Sequence, residues 1–283
     1  MNNQEISPKK IIPIGFLAIF ISLIIFVKSS LNSETTIVFC DVGQGDGTYI
    51  RIENKIDMLV DSGPDKKMLE CLGKYMPFFD RTIEIAIASH PEKDHIGGFT
   101  EIVERYKIGS FLMPDIKNES KTFNKLENAL REKQIPVIFP TSGQNIKIRT
   151  ANLYFLWPEQ SFLDSSPSSP EGSNDFSLVF RLAVGSKTIL FTGDLSSNLL
   201  STLANSTGKD FLKSDILKIP HHGSKNGLTA TFLNLADPMY SVISVGKRNS
   251  YRHPAKEILD ILKASKTNIL RTDEKGDIVF QIH

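Results

Sequence analysis

Near its start the chain carries an apolar run that no charge interrupts. From Ile11 to Val27 all 17 positions are uncharged, with Lys9 and Lys10 before them and Lys28 after. At ~1.5 Å of rise per residue such a run reaches the short end of a bilayer span. A helix in a globular core needs a polar face, which this run lacks. A cleaved leader has a shorter apolar region and a small-residue cleavage site. The pattern predicts an uncleaved membrane anchor within residues 1–33, with a cleaved signal segment as the alternative. More lysines before the run than after it keep the N-terminus inside and put the rest outside the cytoplasm.

Beyond a short polar link the pattern shortens. "TTIVFCDVG", "TYIRIE" and "DMLVDSG" read as three successive strands. "KKMLECLGKYM" has helical spacing, and "IEIAIASH" is a buried strand ending at His90. A helix from "GGFTEIVERY", a strand from "IGSFLMP" and an amphipathic helix from "NKLENALREK" follow. After Pro136 strands dominate again. "FSLVFRLAVGSKTILFTGD" predicts a hairpin turning at Gly185–Ser186, "SDILKIPHHGS" a strand ending at paired histidines, and "PAKEILDILKAS" a helix. Residues 164–175, dense in serine and proline, read as an exposed loop. Each half runs strands first and strand–helix units second. The expected fold is therefore α/β, with two mixed sheets face to face and helices outside, over residues 34–283.

Composition adds mainly exclusions. At 283 residues, 40% hydrophobic and 23% charged, with net charge +1, the chain is no global polycation. Any grip on an anion must be local. No phosphate-binding Walker loop, dinucleotide fingerprint or nucleophile elbow is present. The two cysteines, Cys40 and Cys71, read as separate buried thiols, with a single bridge as the alternative outside the cytosol.

The histidines change the picture. Five of the six (90, 95, 221, 222 and 253) fall in short Gly- or Pro-marked loops after strands. "SHPEKDHIGG" interleaves His90 and His95 with Glu92 and Asp94; later strands end in Asp194 and in His221–His222. Imidazole nitrogens and carboxylate oxygens are the donors a catalytic divalent cation needs, and two cations need about six of them. His90, Glu92, Asp94, His95, Asp194 and one of His221 and His222 make up that number. "DVGQGDG", with Asp41, Gln44 and Asp46, is either a glycine turn or support beneath the metals, and Asp61 reads the same way. Ser224, Lys225, Lys247, Arg248, Tyr251, Arg252 and His253 gather cations and donors near the rim, suited to the negative charge of a phosphodiester. His253 is placed to protonate a leaving oxygen.

"SHPEKDHIGG", "TGD" and "HHGS" resemble the metal-binding motifs of the metallo-β-lactamase superfamily. Adding "FCDVGQGDGTYI", "VDSG" and "NSYRHP" in this order, residues 35–282 resemble the extracellular hydrolase domain of ComEC-type DNA-uptake proteins. The resemblance implies a four-layer αββα sandwich and one or two zinc or manganese ions. His90 and Glu92 would hold one ion, Asp94 and His95 the other, and Asp194 would bridge them. Asp94 would orient the attacking water or take its proton. It also implies a competence nuclease acting on DNA, with an uptake channel as a possible partner. Two departures stand out. Glu92 replaces the superfamily's second loop histidine, which makes the donors richer in oxygen and favours manganese. No histidine lies between His95 and His221, so Asn174 or Asp175 would occupy the middle position. The alternatives are hydrolysis of a choline-phosphate ester, lactone or thioester, and a DNA-binding protein that has lost activity.

Overall fold

The computed structural model describes residues 34–165 and 173–282. The expected anchor lies outside them, as does most of the 164–175 loop; among the described residues no helix is long and apolar enough to cross a membrane. The strands are β1 (Thr35–Phe39), β2 (Gly47–Ile52), β3 (Ile56–Ser62), β4 (Thr82–Ile87), β5 (Lys107–Leu112), β6 (Val137–Ile138) and β7 (Asn145–Ile148). They continue with β8 (Ala151–Trp157), β9 (Val179–Val184), β10 (Lys187–Phe191), β11 (Ile216–Lys218), β12 (Tyr240–Ile243), β13 (Asn268–Arg271) and β14 (Ile278–Ile282). They form two seven-stranded sheets, ordered β14-β1-β2-β3-β4-β5-β6 and β13-β12-β11-β10-β9-β8-β7. Each is mixed: hairpins at one side give antiparallel pairs, and strand–helix–strand connections give the parallel pairs β3–β4–β5–β6 and β10–β11–β12–β13.

Alternation along the strands builds the layers, because successive side chains face opposite sides of a sheet. In β1, Ile37 and Phe39 join the core between the sheets, while Val38 points into the core beneath the helices Lys67–Tyr75, Phe99–Arg105 and Lys121–Glu132. In β10, Ile189 and Phe191 face the first sheet; Leu190 faces the helices Ser197–Ser206, Ala230–Ala236 and Lys256–Ala264. The result is helix, sheet, sheet, helix. Phe39, Phe180 and Phe191 stack at its centre, with ring centroids 6.1 and 4.9 Å apart.

One expectation is overturned. Cys40 and Cys71 are not separate thiols but a disulfide, with Cα atoms 6.0 Å apart. Cys40 follows β1 and Cys71 sits on the buried face of the helix Lys67–Tyr75, so the bond staples helix to sheet. Their separation of 31 residues hides this proximity in the sequence.

Candidate metal centre

The parallel strands bring their C-terminal ends to one rim. Asp61 is the penultimate residue of β3, Ser89 and His90 follow β4, Asp194 follows β10, and His221 and His222 follow β11. The glycine turn after β1 docks onto the loop after β4, where Asp46 N donates to Asp94 O at 3.1 Å. A Cβ on Gly45 would lie 2.2 Å from that same carbonyl, so the close approach requires glycine. His221 and His222 both adopt left-handed backbone, φ 50° and 52°, uncommon for non-glycine residues. The tight turn separates the two rings.

His95 is buried. Its Nδ1 is 2.9 Å from Asp61 Oδ2, and its Nε2 is 3.4 Å from Asp194 Oδ1. Asp61 is itself held by Ser89, which donates its backbone N–H at 2.7 Å and its hydroxyl at 2.8 Å. His222 repeats the arrangement: Nδ1 meets the Ser244 carbonyl at 3.0 Å, while Nε2 faces Asp94 Oδ2 at 3.3 Å and Asp194 Oδ2 at 3.4 Å. His90 packs its ring 4.0 Å from that of His95 and engages Ser89 Oγ through Nδ1 at 3.0 Å. In all three, one nitrogen is tied to protein and the other is left over. His90 Nε2, His95 Nε2, His222 Nε2 and Asp194 Oδ1 are all buried without a hydrogen-bond partner. Leaving one such atom unsatisfied costs about 1–3 kcal/mol. Four side by side are explained together by a cation, and their donor types fit one.

One donor atom from each of Asp46, His95, Asp194 and His222 lies within 4.8 Å of the others. Asp46 Oδ2 is 2.6 Å from Lys218 Nζ, while its Oδ1, 3.1 Å from His222 Nδ1, is buried without a hydrogen-bond partner like the four atoms above. It sits at the Nδ1 edge of His222, whereas Asp94 and Asp194 meet the Nε2 edge. Asp46, His95, Asp194 and His222 could hold a cation, and Asp94 Oδ2 borders them at 3.3 Å from His222 Nε2.

The charges agree. Burial alone would lower His222, but the carboxylates of Asp194 and Asp46 outweigh it and push the imidazole up to about 10. His95 is raised well above its usual range against the same burial penalty, by Asp194 and Asp61. Asp194 goes the other way: burial opposes ionisation, but His222 and His95 hold it well below the usual carboxylate range. Burial, reinforced by His95, lowers His90 to about 3, so it is neutral. A buried cluster of carboxylates that draws positive charge onto its histidines draws a divalent cation for the same reason.

Other expected site residues lie at varied depths. Glu92 accepts from Ser173 Oγ at 2.7 Å, tying the loop to the turn Ser173–Phe176. There Asn174 Oδ1 is buried without a partner, while Asp175 offers its carbonyl to Trp157 Nε1. His221 is partly exposed, with Nε2 3.7 Å from Asp194 Oδ2. Asp41 is not beneath the metals: it is exposed and accepts from Gly43 N, closing its own turn. Gln44 accepts from Gly246 N at 3.2 Å, joining the glycine turn to the loop after β12. Ser224 is buried, its N–H donating to His221 O at 2.7 Å. The His253 ring lies 6.0 Å from that of His221 and stacks under Tyr251 at 5.7 Å. Lys247, Arg248 and Arg252 are exposed beside it.

Three residues were not anticipated. Lys218, a lone cation in the apolar strand "ILKIP", is buried against Asp46; its charge amid hydrophobic neighbours was the available signal. Lys67 and Lys93 start helices, and nothing in their local sequence marks them for a site. They line a cavity of about 360 Å³ with Asp94, Gln44, Tyr251 and a second carboxylate, Asp65, which accepts from Lys67 N. Lys67 also lines an adjoining cavity of about 420 Å³ with Lys247 and Arg248. The two cavities share Gly43, Gln44 and Lys67 and make a cation-lined groove that reaches the metal centre at Asp94.

Comparison with known proteins agrees with this geometry. The chain is 26% identical to ComE operon protein 3 of Bacillus subtilis (strain 168) over 284 residues, 94% of this chain and 35% of that protein. It is 26% identical to Competence protein ComA of Neisseria gonorrhoeae, over 88% of this chain and 32% of that one. It thus spans about a third of the length of these relatives. Among solved structures, the metallo-beta-lactamase fold protein YhfI from Bacillus subtilis superposes with a TM-score of 0.59 at 13% identity, covering 88% of this chain and all of that one. CmlA, a diiron β-hydroxylase from Streptomyces venezuelae, superposes with a TM-score of 0.57 at 14% identity, over 88% of this chain and 54% of that one. Residues 40–247 match the Metallo-beta-lactamase superfamily, and the chain belongs to that family.

Proposed function

We propose that the chain is a membrane-anchored hydrolase that cleaves phosphodiester bonds in DNA outside the cytoplasm. The observation that carries this reading is the groove: unpaired donors of the metal centre open at Asp94 onto Lys67, Lys93, Lys247 and Arg248, with Tyr251 exposed at its edge. A lactone or thioester would be served by an apolar pocket. A polyanion is served by cations along the path its flanking phosphates follow. The competence relatives support the same substrate, with a DNA-uptake channel as a separate partner. The Cys40–Cys71 bond supports an oxidising compartment.

Divalent ions held by His95, Asp194 and His222 with Asp46 or Asp94 would lower the pKa of a water to about 7. Manganese suits the oxygen-rich donors better than zinc. Asp94, at the mouth of the groove, orients the attacking water and takes its proton at a carboxylate oxygen. Lys67, Lys93 and Arg248 hold the flanking phosphates. Burial and the neighbouring His221 lower the His253 pKa, so its neutral ring offers the leaving oxygen a hydrogen bond while solvent supplies the proton; Asn249 fixes it by bonding its backbone N–H at 2.8 Å and its carbonyl at 2.7 Å.

The test uses the full chain in detergent with manganese or zinc. Bis-p-nitrophenyl phosphate, a labelled oligonucleotide, a lactone, a thioester and a choline-phosphate ester serve as substrates. Cleavage of both phosphodiesters that disappears in Asp194→Asn is expected. Metal-loaded protein that leaves both intact while opening one of the other esters overturns the proposal. A second reading, DNA binding without cleavage, draws on the absent middle histidine and on Glu92 being bonded to Ser173. Retained oligonucleotide binding without hydrolysis at saturating metal would select it.

A further inference from the structure

Phe78 and Phe79 are 87% and 74% exposed, more than any other large apolar side chain among the described residues. They sit at the tip of the turn between the helix Lys67–Tyr75 and β4, closed by Asp80 N donating to Pro77 O, and their rings pack edge to face at 5.4 Å. Strand pairing shows which end of the domain this is. Thr36 pairs with Arg51, Ile52 with Ile56, Met58 with Ile85 and Thr82 with Lys107. The start of β1, the β2–β3 turn and the starts of β4 and β5 therefore share one edge of the sheet. Three interstrand steps of ~4.8 Å put the phenylalanine turn about 15 Å from Thr35. The metal centre stands at the opposite edge, beyond the C-terminal ends of β3, β4, β10 and β11. A six-residue strand such as β4 spans about 20 Å.

Seven residues, 28–34, separate the apolar run from Thr35. Fully extended, they reach at most about 25 Å. Such a link keeps this edge within about 25 Å of the bilayer and leaves the orientation of the domain to be fixed by its own surface.

We propose that Phe78 and Phe79 enter the boundary between headgroups and acyl chains of the membrane that residues 11–27 span, fixing the domain with its metal centre opening away from the lipid. This rests on the reading of that run as an anchor. Phenylalanine is among the apolar side chains that surface-lying anchors bury at the headgroup–acyl boundary. Lys55, Arg81 and Lys107 are exposed along the same edge, facing anionic headgroups. Of the neighbouring carboxylates, Asp80 is paired with Arg51, Glu53 with Arg149, and Glu34 is also engaged, while Glu104 is exposed beside the lysines. A protein partner is the poorer occupant. Two rings offer about 150–250 Å² each, well short of the ~800 Å² per partner of a specific interface. A tethered domain needs no such area, since the anchor supplies the local concentration.

The full chain is reconstituted into vesicles of three parts phosphatidylcholine to one part phosphatidylglycerol, with and without brominated acyl chains. Phe79→Trp and Phe78→Trp report position, read as the difference from wild type, whose Trp157 is buried. The added emission is expected to be blue-shifted, quenched by brominated lipid and shielded from aqueous iodide. Replacing Lys55 and Lys107 by Glu should reduce the lipid quenching. A reporter quenched by iodide and not by bromine, in protein that floats with the vesicles, overturns the proposal while sparing the anchor. A reporter shielded from both quenchers signals contact with protein and overturns it too. A chain that stays in the aqueous phase overturns the anchor reading and this inference together.

Discussion

His95 and Asp61, 34 residues apart in the chain, meet at 2.9 Å between Nδ1 and Oδ2. The contact leaves Nε2 of His95 as the donor toward Asp194. Asp61 is held in turn by both hydrogen-bonding groups of Ser89. A carboxylate behind a metal-binding histidine fixes its tautomer and raises its basicity, and losing one costs typically 10–100-fold in affinity. Asp61→Asn should therefore weaken metal binding by roughly that factor with far-ultraviolet circular dichroism unchanged. Competition against a chelator of known affinity measures it. Unchanged affinity would show that Ser89 alone orients the ring.

His221 and His222 are adjacent, yet the structure separates them. His222 is buried with Nε2 against Asp94 and Asp194; His221 is 31% exposed and reaches only to 3.7 Å from Asp194. His222→Ala should abolish binding of the cation that it holds with Asp194. His221→Ala should leave the metal content of the purified chain close to wild type. Elemental analysis of both variants decides between them, and the reverse pattern would transfer the donor role to His221.

Short uninterrupted apolar runs such as Ile189–Leu190–Phe191 made the layered sandwich legible, because a strand buried on both faces is apolar at successive positions. The histidine clusters were legible because they end apolar strands. Three things were not. Which histidine of a pair points inward depends on a left-handed backbone that "HHGS" does not encode by itself. Lys67 and Lys93 gain their meaning only when the glycine turn, the loop after β4 and the loop after β12 meet around Gln44. Cys40 and Cys71 are brought together by a helix folding back on a strand, a tertiary event invisible to spacing.

That pair supplies a stability prediction. In a chain-entropy account, closing a loop of this length stabilises a fold by about 3–4 kcal/mol. Cys40→Ala with Cys71→Ala should lower unfolding free energy by about that amount in urea, with metal and pH held constant. The single variants should match the double one. A loss below about 1 kcal/mol would mean that the denatured chain gains little freedom when the link is removed.

Metal uptake should release protons. In the metal-free chain the carboxylates hold His222 at about 10 and His95 well above its usual value, against the pull of burial. These raised values stabilise the metal-free fold fully below the unfolded histidine value of about 6.5. The contribution of His222 is lost as pH rises through about 10. A cation needs the neutral nitrogen, so binding near neutral pH should expel roughly two protons, and affinity should climb between about pH 6 and 9. Calorimetry in two buffers of different ionisation enthalpy counts the protons. A buffer-independent heat would show that both imidazoles are already neutral.

The groove makes a prediction that separates binding of a polymer from the chemistry itself. Lys67 Nζ lies over Gly43, and Lys93 precedes Asp94 by one residue, so both sit beside the reacting centre without being donors to it. A small ester occupies only the metal centre, whereas a nucleic-acid strand must also lay its phosphates along the groove. Lys67→Glu with Lys93→Glu should leave turnover of bis-p-nitrophenyl phosphate within about twofold of wild type, and oligonucleotide binding should fall steeply. Each lost phosphate contact should flatten the dependence of log affinity on log salt by about 0.7–0.9. Titrating a labelled single strand at several salt concentrations, with the small ester as control, reads both. If the salt slope does not change, the strand leaves the metal centre by another route; if the two substrates fall together, the lysines act on the reacting phosphate itself.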